Sequence, residues 1–382
     1  MKNKIAVIMQ SPDLGGAETY MISLVKEFRK NNSEIVIATN SGKYLDEIKK
    51  NNFNFETVPY VLDIIGDWKG FLKSILIFIP AFLFYIKLLR RFKKNKIELI
   101  LMSGFSEKML VTFLSIFFRI PVFWIEYSVL DPVFKKNFYL PKFLYLVLNN
   151  FVKKIIVPTN ATYEGIRKSL PIKKNKLSII SCGIEINEKK YKIPPEIKNK
   201  MIIGNVSRLT KEKGQDILIR AIPEVIKQIP NAIFMIVGDG PDRRYYEQLI
   251  KELGVFKNVR MPGFVVDVNY YYSLFDIFVF PTVWNLEGFG LVAVEAMSKK
   301  VPVIGSSNMP VPEIVIDNSN GIIVPKGDSN ELAKAVIRLC LDEDLRKKLG
   351  LNGYRDVYEK YDIKIIAKKF MDLFENESNY KK

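Results

Sequence analysis

The chain has 382 residues, of which 48% are hydrophobic, and this is enough for about two domains with sizeable buried cores. It contains no histidine, which excludes a histidine triad and leaves a carboxylate-only site as the possible kind of metal site. It has only two cysteines, Cys182 and Cys340, which excludes a disulfide framework and suits a reducing compartment. The net charge of +17 is uneven, with 33 Lys and Arg against 17 Asp and Glu in residues 1–200, which favours a polyanionic partner for this half (anionic lipid, a phosphorylated acceptor or nucleic acid) over a merely solvated basic surface.

Short apolar segments alternate with longer segments of helical character along the whole chain. In the first half the strand-like segments are 5–9, 35–39, 55–58, 99–102, 122–126, 155–158 and 177–181. In the second half they are 201–206, 233–237, 259–261, 277–280, 303–304 and 322–324. Such alternation is typical of parallel sheets built from βαβ units, so we predict an α/β protein with two doubly wound domains facing across a cleft.

A polar, Lys-rich segment with two consecutive prolines, residues 188–200, has the composition of a linker. We therefore predict an N-terminal domain over 1–187, a C-terminal domain over 201–360, and a last helix within 361–382 that crosses back to the N-terminal domain. The N-terminal apolar stretch is too short for a signal peptide, and the longest apolar run, 75–86, is too short to span a membrane. We expect a cytoplasmic protein that is neither secreted nor membrane-spanning.

The turn at residues 11–18 joins the first strand to the first helix. Gly15 and Gly16 there allow close approach of a phosphate or a sugar, although Gly-rich turns are common and this motif alone is weak.

Residues 71–94 begin very apolar and end with four basic residues, Arg90, Arg91, Lys93 and Lys94. An interfacial helix against anionic lipid has this pattern, and so has a helix packed on a sheet with a basic last turn. Because the whole first half is basic, we predict peripheral contact with an anionic membrane on its cytoplasmic face. Residues 134–148, with lysines among aromatics, are expected either to line the acceptor entrance or to pack in the core.

Residues 204–214 follow a strand and lead into a helix, which places Arg208 and Lys213 at the carboxyl end of that strand. Two cations there can neutralise a diphosphate leaving group as its bond to a sugar breaks. Surface salt bridges are the alternative explanation.

Residues 281–297 run from a strand through a loop into a helix that starts near Gly290. Gly288 and Gly290 let the backbone approach a ligand, and amides at a helix start favour an anion. Glu287 before the helix and Glu295 inside it can each accept hydrogen bonds from a vicinal diol, as in a ribose or a sugar. A capped helix with a structural glutamate pair gives the same pattern.

Taken in order, these motifs resemble the retaining family-4 glycosyltransferases (glycosyl transferases group 1), which have the GT-B fold. The residues that carry the resemblance are Gly15-Gly16-x-Glu18, Ser207-Arg208-Leu209 with Lys213-Gly214, Gly238 to Pro241, Glu287 with Glu295, Pro312 to Val315, and Asn320-Gly321. The resemblance covers nearly the whole chain and is strongest from 201 to 325.

The resemblance implies a role for each matching position. Arg208 and Lys213 would bind the donor diphosphate and Glu287 would lie beside the donor sugar, and these three are the expected catalytic residues. Glu295 would hold the ribose diol. The other implied donor contacts are Gly15, Gly16, Phe264, Val265, Gly288, Phe289, Gly290 and Leu291. Retention in this family is explained by front-side attack, in which the leaving phosphate oxygen takes the acceptor proton, and no metal is needed.

The sequence departs from the family pattern at the sugar pocket. Many relatives have a histidine after the fifth strand, where this chain has Trp124-Ile125-Glu126-Tyr127, and we align Tyr127 with that histidine. Its phenol can still donate a hydrogen bond to a sugar hydroxyl or to a main-chain carbonyl. Relatives also have glycine at Lys300 and a glycine pair near 309–311, which puts the sugar specificity in question.

We therefore expect an enzyme that moves a sugar from a UDP- or GDP-linked donor to a glycan or lipid-linked acceptor in cell-surface polysaccharide or glycolipid synthesis. A nucleotide-sugar epimerase of the same fold and a catalytically degenerate nucleotide-sugar-binding protein are the alternatives. Nucleic-acid binding is not expected, because the aromatics lie in apolar runs rather than on a basic strand face.

Overall fold

The structure, a computed structural model, describes residues 3–265 and 267–379. The chain divides into two compact units. Unit 1 comprises the residues up to Cys182 together with those from Ile363 onward, and unit 2 comprises Gly183–Asp362. The Lys-rich segment 188–200 thus belongs to unit 2, and the last helix belongs to unit 1. The final part of the predicted helical segment, 380–382, lies outside the described residues.

Unit 1 is built on a seven-stranded sheet in the order β3-β2-β1-β4-β5-β6-β7, with every strand pair parallel. The strands are β1 (Lys4–Ile8), β2 (Glu34–Thr39), β3 (Asn54–Thr57), β4 (Leu99–Met102), β5 (Val122–Ile125), β6 (Lys154–Val157) and β7 (Leu177–Ile179). The strand order reverses between β1 and β4, which makes the carboxyl ends of these two strands the position where doubly wound sheets bind ligands.

Helices cover both faces of this sheet, as continuous apolar strands require. They are α1 (Gly16–Lys30), α2 (Lys43–Lys50), α3 (Trp68–Leu76), α4 (Phe78–Lys94), α5 (Phe105–Phe118), α6 (Asp131–Phe134), α7 (Leu140–Leu148), α8 (Asn160–Ser169) and the C-terminal α16 (Ile363–Asn379). Helix α16 contacts α1, and the ring of Phe28 meets those of Phe370 and Phe374 in the core between them.

The segment 71–94 is divided between two helices. Ile77 lies between α3 and α4, and the two helix axes are bent by 63°. Among the described residues, no single helix has the length and apolarity to cross a membrane, and α3 and α4 meet that criterion only as a bent pair.

Unit 2 has a six-stranded parallel sheet in the order β10-β9-β8-β11-β12-β13. Its strands are β8 (Met201–Val206), β9 (Ala232–Val237), β10 (Val259–Gly263), β11 (Ile277–Phe280), β12 (Val303–Ser306) and β13 (Gly321–Val324). Its helices are α9 (Gln215–Gln228), α10 (Arg243–Glu252), α11 (Val268–Tyr272), α12 (Leu291–Met297), α13 (Val311–Ile314), α14 (Ser329–Leu341) and α15 (Glu343–Asp356). Here the order reverses between β8 and β11.

Every strand predicted from the sequence overlaps an observed strand. The predicted class, α/β with two Rossmann-like domains, is therefore confirmed.

Candidate active site

Two loops meet at the point of unit 2 where the strand order reverses. One loop (207–214) follows β8 and the other (281–290) follows β11, and these strands are neighbours. The main chain joins the loops directly, because Val283 N donates a hydrogen bond to Glu212 O at 2.9 Å. The hydroxyl of Thr282 also donates to Glu212 O, at 3.3 Å. The segments that carried the strongest sequence motifs are thus in contact.

Lys213 and Glu287 form an ion pair at this junction. Lys213 Nζ lies 2.8 Å from Glu287 Oε2 and 4.4 Å from the ring centroid of Trp284. Both side chains are largely buried, which weakens solvent screening and makes the charges effective on any anion placed beside them. Two of the residues proposed for catalysis are therefore brought together.

The junction depends on two glycines with positive φ. Gly214 has φ +74, and a Cβ there would lie 2.1 Å from Pro281 O in the neighbouring loop. Gly290 has φ +97 where the second loop enters α12, and a Cβ would lie 2.7 Å from the ring of Phe280. Only glycine combines this backbone conformation with so close a contact, so both positions keep the loops in place.

Arg208 points its charge outward from the first loop. Its side chain is exposed and makes no ion pair with the described residues. The main chain around it is held from behind by the buried Gln215, whose Nε2 donates to Ser207 Oγ at 2.7 Å and to Arg208 O at 2.9 Å. Tyr246 OH donates to Gln215 Oε1 at 3.0 Å and completes the support. A guanidinium on a fixed main chain is thus available to an anionic ligand.

Glu295 lies in α12 with one carboxylate oxygen satisfied. Tyr272 OH donates to Glu295 Oε2 at 2.8 Å. Burial raises the pKa of Glu295, and the bond from Tyr272 opposes this rise. The tyrosine holds the carboxylate in one orientation, and this is what recognition of a vicinal diol requires.

The other residues of unit 2 that were predicted to contact the donor also lie at the carboxyl ends of its strands. Phe289 is buried with its ring against Tyr361, so its main-chain groups rather than its side chain are left for a ligand. Gly288 precedes Phe289 in the loop, and Leu291 is the first residue of α12. Phe264 and Val265 follow β10, the outermost strand on one side of the sheet, and the Phe264 ring is exposed.

Unit 1 carries the other predicted residues. Gly15 and Gly16 lie where β1 leads into α1, and Gly15 N donates to Glu18 Oε2 at 2.8 Å. Tyr127 follows β5, two strands away, with its ring 6.1 Å from that of Tyr20. The Tyr127 hydroxyl is buried and has no hydrogen-bond partner among the described residues, so the main-chain partner that the sequence allowed is not seen there.

A buried ion pair fixes the chain beside Tyr127. Lys108 Nζ lies 2.8 Å from Glu126 Oε1 and donates to Ile125 O at 2.6 Å, while Tyr145 OH donates to the same carboxylate oxygen at 3.2 Å. Burial raises the pKa of Glu126 and lowers that of Lys108, and each charge opposes the shift of the other. Because both charges are paired, this cluster positions the end of β5 rather than offering a free charge.

Several polar atoms at the carboxyl edge of the unit 1 sheet lack partners. Within the described part of the chain, unpaired buried oxygens lie at the end of β2, after β2, β4 and β5, and on the neighbouring α2: Thr39 Oγ1, Asn40 Oδ1, Tyr44 OH, Ser103 Oγ and Tyr127 OH. Buried polar groups are nearly always hydrogen-bonded in native proteins, so such a group of exceptions marks a place where a ligand or water can bind.

Some supporting residues were not identified from the sequence. Gln215, Tyr246 and Tyr272 lie outside the motifs or act across many residues, and only their contacts reveal them. Ser306 at the end of β12 and Asn308 just after it also hold the second loop, donating to Thr282 O at 2.6 Å and to Trp284 O at 2.7 Å. In residues 3–265 and 267–379 no group of three or more Cys, Asp and Glu is placed to hold a metal ion.

Comparison with known families gives the same assignment for both halves. Residues 14–188 match the family described as Glycosyltransferase Family 4, and residues 186–356 match the one described as Glycosyl transferases group 1. The chain belongs to the family-4 type of glycosyltransferases. The ordered motifs had indicated this family, and the matches confirm it.

Two relatives illustrate how far this glycosyltransferase chain can be aligned. The uncharacterized glycosyltransferase MJ1607 of Methanocaldococcus jannaschii is 38% identical over 177 residues, which cover 46% of this chain and 44% of that protein. The capsular polysaccharide biosynthesis glycosyltransferase CapM of Staphylococcus aureus is 25% identical over 92% of both chains. The alignment thus spans less than half of the first relative and nearly all of the second.

A solved structure agrees in fold. The crystal structure of Anabaena Alr3699/HepE in complex with UDP is 22% identical, has a TM-score of 0.82, and covers 98% of this chain and 100% of that chain. At this identity the likeness concerns the fold alone, and it confirms the GT-B class.

Proposed function

We propose that this glycosyltransferase takes a sugar from a UDP- or GDP-linked donor held by unit 2. The observation that carries the proposal is the contact between the loops after β8 and β11, where Lys213 and Glu287 pair at 2.8 Å and two left-handed glycines bring the main chains together. A partly buried cation, an outward guanidinium and a fixed carboxylate at a strand-order reversal suit an elongated anionic ligand with hydroxyl groups. HepE, of the same fold, has been crystallised with UDP, which is consistent with such a donor.

The chemistry of each of these side chains suggests a separate role. Arg208 and Lys213 would stabilise the negative charge that grows on the diphosphate as the glycosidic bond breaks. Glu287 would orient Lys213 and accept a hydrogen bond from the donor sugar. Glu295, oriented by Tyr272, would accept the ribose hydroxyls.

We place the acceptor in unit 1. The unpaired oxygens at the carboxyl edge of its sheet would be satisfied by a hydroxyl-rich ligand, and the excess of Lys and Arg in residues 1–200 favours an acceptor that is phosphorylated or carried on anionic lipid. CapM acts in capsular polysaccharide biosynthesis, which is the kind of pathway we propose here. Peripheral contact with a membrane on the cytoplasmic side fits the same charge.

We further propose transfer with retention and without a metal ion. The leaving phosphate oxygen would accept the proton of the acceptor hydroxyl as that hydroxyl attacks the anomeric carbon from the same face. The C–O bond to the phosphate breaks, the bond to the acceptor oxygen forms, and the phosphate carries the proton away. The cations of the first loop would then neutralise the diphosphate charge that a metal ion would otherwise neutralise.

The test is to incubate the protein with UDP- and GDP-sugars, with and without a membrane-derived glycolipid extract as acceptor, and to analyse sugars and nucleotides. The proposal expects free UDP or GDP to appear at a rate that depends on the extract, with the anomeric configuration kept in the product. A donor sugar that changes its stereochemistry without the extract would make the protein an epimerase. Tight nucleotide binding with no turnover on any acceptor would make it a degenerate binding protein.

A further inference from the structure

One surface of unit 1 exposes large apolar side chains next to one another. Trp68 and Leu76, at the two ends of α3, are 54% and 82% exposed, and Phe138, in the turn before α7, is 86% exposed. We use the term apolar patch for these and their exposed neighbours on α3 and the start of α4: Trp68, Leu72, Ile75, Leu76, Ile79 and Phe138. A contiguous exposed apolar surface of this kind on a folded domain marks an interaction site.

Specific contacts join the two parts of the apolar patch. The rings of Trp68 and Phe138 meet edge to face, with centroids 6.2 Å apart. Asn137 Nδ2 donates to Ile64 O, just before α3, at 2.6 Å. The patch is therefore one surface rather than two separate exposed helices.

The backbone beneath Phe138 is unusual. Asn137, Phe138 and Tyr139 have φ of 44°, 56° and 60°, three consecutive non-glycine residues in the left-handed region. L-residues are strained there, above all bulky ones. The fold thus maintains a strained turn that holds the rings of Phe138 and Tyr139 in solvent, 86% and 59% exposed. A partner that takes up the rings accounts for both features.

The exposed charge around the apolar patch is mainly positive, and the exception next to Trp68 is Asp67, whose carboxylate caps α3 by accepting a hydrogen bond from Gly70 N. Residues 68–97 and 132–163 contain no Asp or Glu. The exposed cations nearest to the patch in sequence are Lys69 and Lys73 on α3 and Lys135 and Lys136 before the strained turn. Cores of protein–protein interfaces are poor in lysine, whereas Trp and Phe flanked by lysines are typical of segments that lie in a lipid headgroup boundary.

We propose that the apolar patch docks unit 1 on an anionic bilayer, with Trp68 and Phe138 at the acyl boundary and the four lysines among the headgroups. This deepens the proposed function by naming the surface that meets the membrane carrying the acceptor. It also moves the electrostatic contact away from the cluster Arg90, Arg91, Lys93 and Lys94. Arg91 lies twelve residues beyond Ile79, about 18 Å along α4, and pairs with Glu56 at 3.1 Å.

The test is binding of the full chain to vesicles of phosphatidylcholine, alone or in equal mixture with phosphatidylglycerol, measured by sedimentation. Phe138→Ser should lower partitioning to both vesicle types by about tenfold, since a buried phenylalanine is lost. Replacing Lys69, Lys73, Lys135 and Lys136 with Gln should lower partitioning to the anionic vesicles alone, by at least about tenfold, and high salt should mimic this variant.

Matched controls lie elsewhere on the chain. Phe256→Ser removes a phenylalanine of unit 2 that is 60% exposed, and Gln at Arg90, Arg91, Lys93 and Lys94 removes four cations from the far end of α4. Both should have much smaller effects. A blue shift of tryptophan emission on adding vesicles should disappear in Trp68→Phe, because Trp124 is buried in the core and Trp284 lies in unit 2 beneath Lys213.

Three results would overturn the docking surface: equal vesicle binding by Phe138→Ser and wild type, a larger effect of the Arg90 to Lys94 variant than of the lysine variant, or a dimer in solution that Phe138→Ser converts to a monomer. The last would identify a second copy as the occupant. Calorimetry with UDP and GDP on the same variants separates this inference from the proposed function. Vesicle binding without nucleotide binding would reject the function only, and nucleotide binding without vesicle binding would reject the docking surface only.

Discussion

The carboxyl edges of the two sheets have corresponding strand orders but differ in how many buried oxygens are unpaired, with Thr210 Oγ1 in the loop after β8 of unit 2 and five at the edge of unit 1 among the described residues. In unit 2 most of the side chains proposed to bind the donor are paired with a neighbour, as in Lys213 with Glu287 and Tyr272 with Glu295. In unit 1 Tyr127 and its neighbouring polar groups have buried oxygens without partners in the described residues. Leaving such a group unpaired costs about 1–3 kcal/mol. The first edge is therefore pre-organised and charged, and the second is the one whose polar groups a hydroxyl-rich ligand would complete.

The largest expected effect is on turnover in the paired edge. Lys213→Ala removes a cation that we assign to the leaving diphosphate, so kcat should fall by about 10²–10³ with little change in folding stability. Lys211→Ala is the matched control, because Lys211 lies in the same loop but its amine is placed over the ring of Tyr245 and forms no ion pair with the described residues. Near-wild-type turnover of Lys213→Ala, or an equal loss in Lys211→Ala, would remove Lys213 from the mechanism.

The next effect separates the two carboxylates. Glu295→Gln should weaken UDP or GDP binding by about 10–100-fold, the value of hydrogen bonds to a charged group, whereas Glu287→Gln should spare nucleotide binding and slow sugar transfer. Calorimetry on both variants makes the comparison. Equal losses of nucleotide affinity would mean that the roles are wrongly divided.

The pH dependence of nucleotide binding follows from Glu295. Burial raises the pKa of Glu295 above its ordinary value, so the carboxylate that binds the diol is present above that pKa and is lost as pH falls through it. Nucleotide affinity should therefore decline on acidification earlier than an ordinary glutamate would require, and Glu295→Gln should abolish this decline. A decline that persists in the variant would point to another group.

A smaller effect is expected at the unpaired edge. Tyr127→Phe removes a buried hydroxyl that has no partner, so folding stability should rise by up to about 1 kcal/mol while transfer slows. In contrast, Tyr145→Phe removes a bond to the buried Glu126 and should lower stability by about 1–3 kcal/mol. Thermal unfolding of both variants compares them directly. Equal destabilisation would show that the Tyr127 hydroxyl is paired in solution.

The smallest expected effect is that of chelation. We expect transfer to persist in EDTA. Closely spaced carboxylates such as Asp342 and Asp344 could hold a metal ion, but here they begin a helix, and Asp342 caps it by accepting a hydrogen bond from Leu345 N at 2.8 Å. Complete loss of activity in EDTA, restored by Mn²⁺ or Mg²⁺, would contradict the proposed charge compensation by Arg208 and Lys213.

Much of this arrangement could be predicted from the sequence, because it depends on local patterns. Short apolar runs located the strands, and glycines such as Gly214 and Gly290 marked the loops that need left-handed backbone. What could not be predicted depends on contacts between distant residues. The bond of Tyr272 to Glu295 and that of Tyr246 to Gln215 join different βα units, and no periodicity reports them.

The surface of unit 1 gives a similar lesson. The sequence pointed to residues 71–94 as a membrane-contact segment and placed its electrostatic contact at the basic end. The bend at Ile77 and the strained turn at Phe138 instead gather the exposed apolar side chains at the other end of α4. The bend has a local signal in Pro80, which has no N–H to bond the carbonyl of Leu76 and so prevents α3 from continuing into α4. The strained turn has none, since no glycine lies within 137–139.

The central claim, that the loops after β8 and β11 bind the donor nucleotide, is tested most directly by an experimental structure of the protein with UDP or GDP. The account predicts the diphosphate within hydrogen-bonding distance of Arg208 and Lys213, the ribose hydroxyls on Glu295, and the Lys213–Glu287 contact lengthened or shared with the ligand. A nucleotide bound instead at the carboxyl edge of the unit 1 sheet, beside Gly15 and Tyr127, with the Lys213–Glu287 pair unchanged, would contradict it.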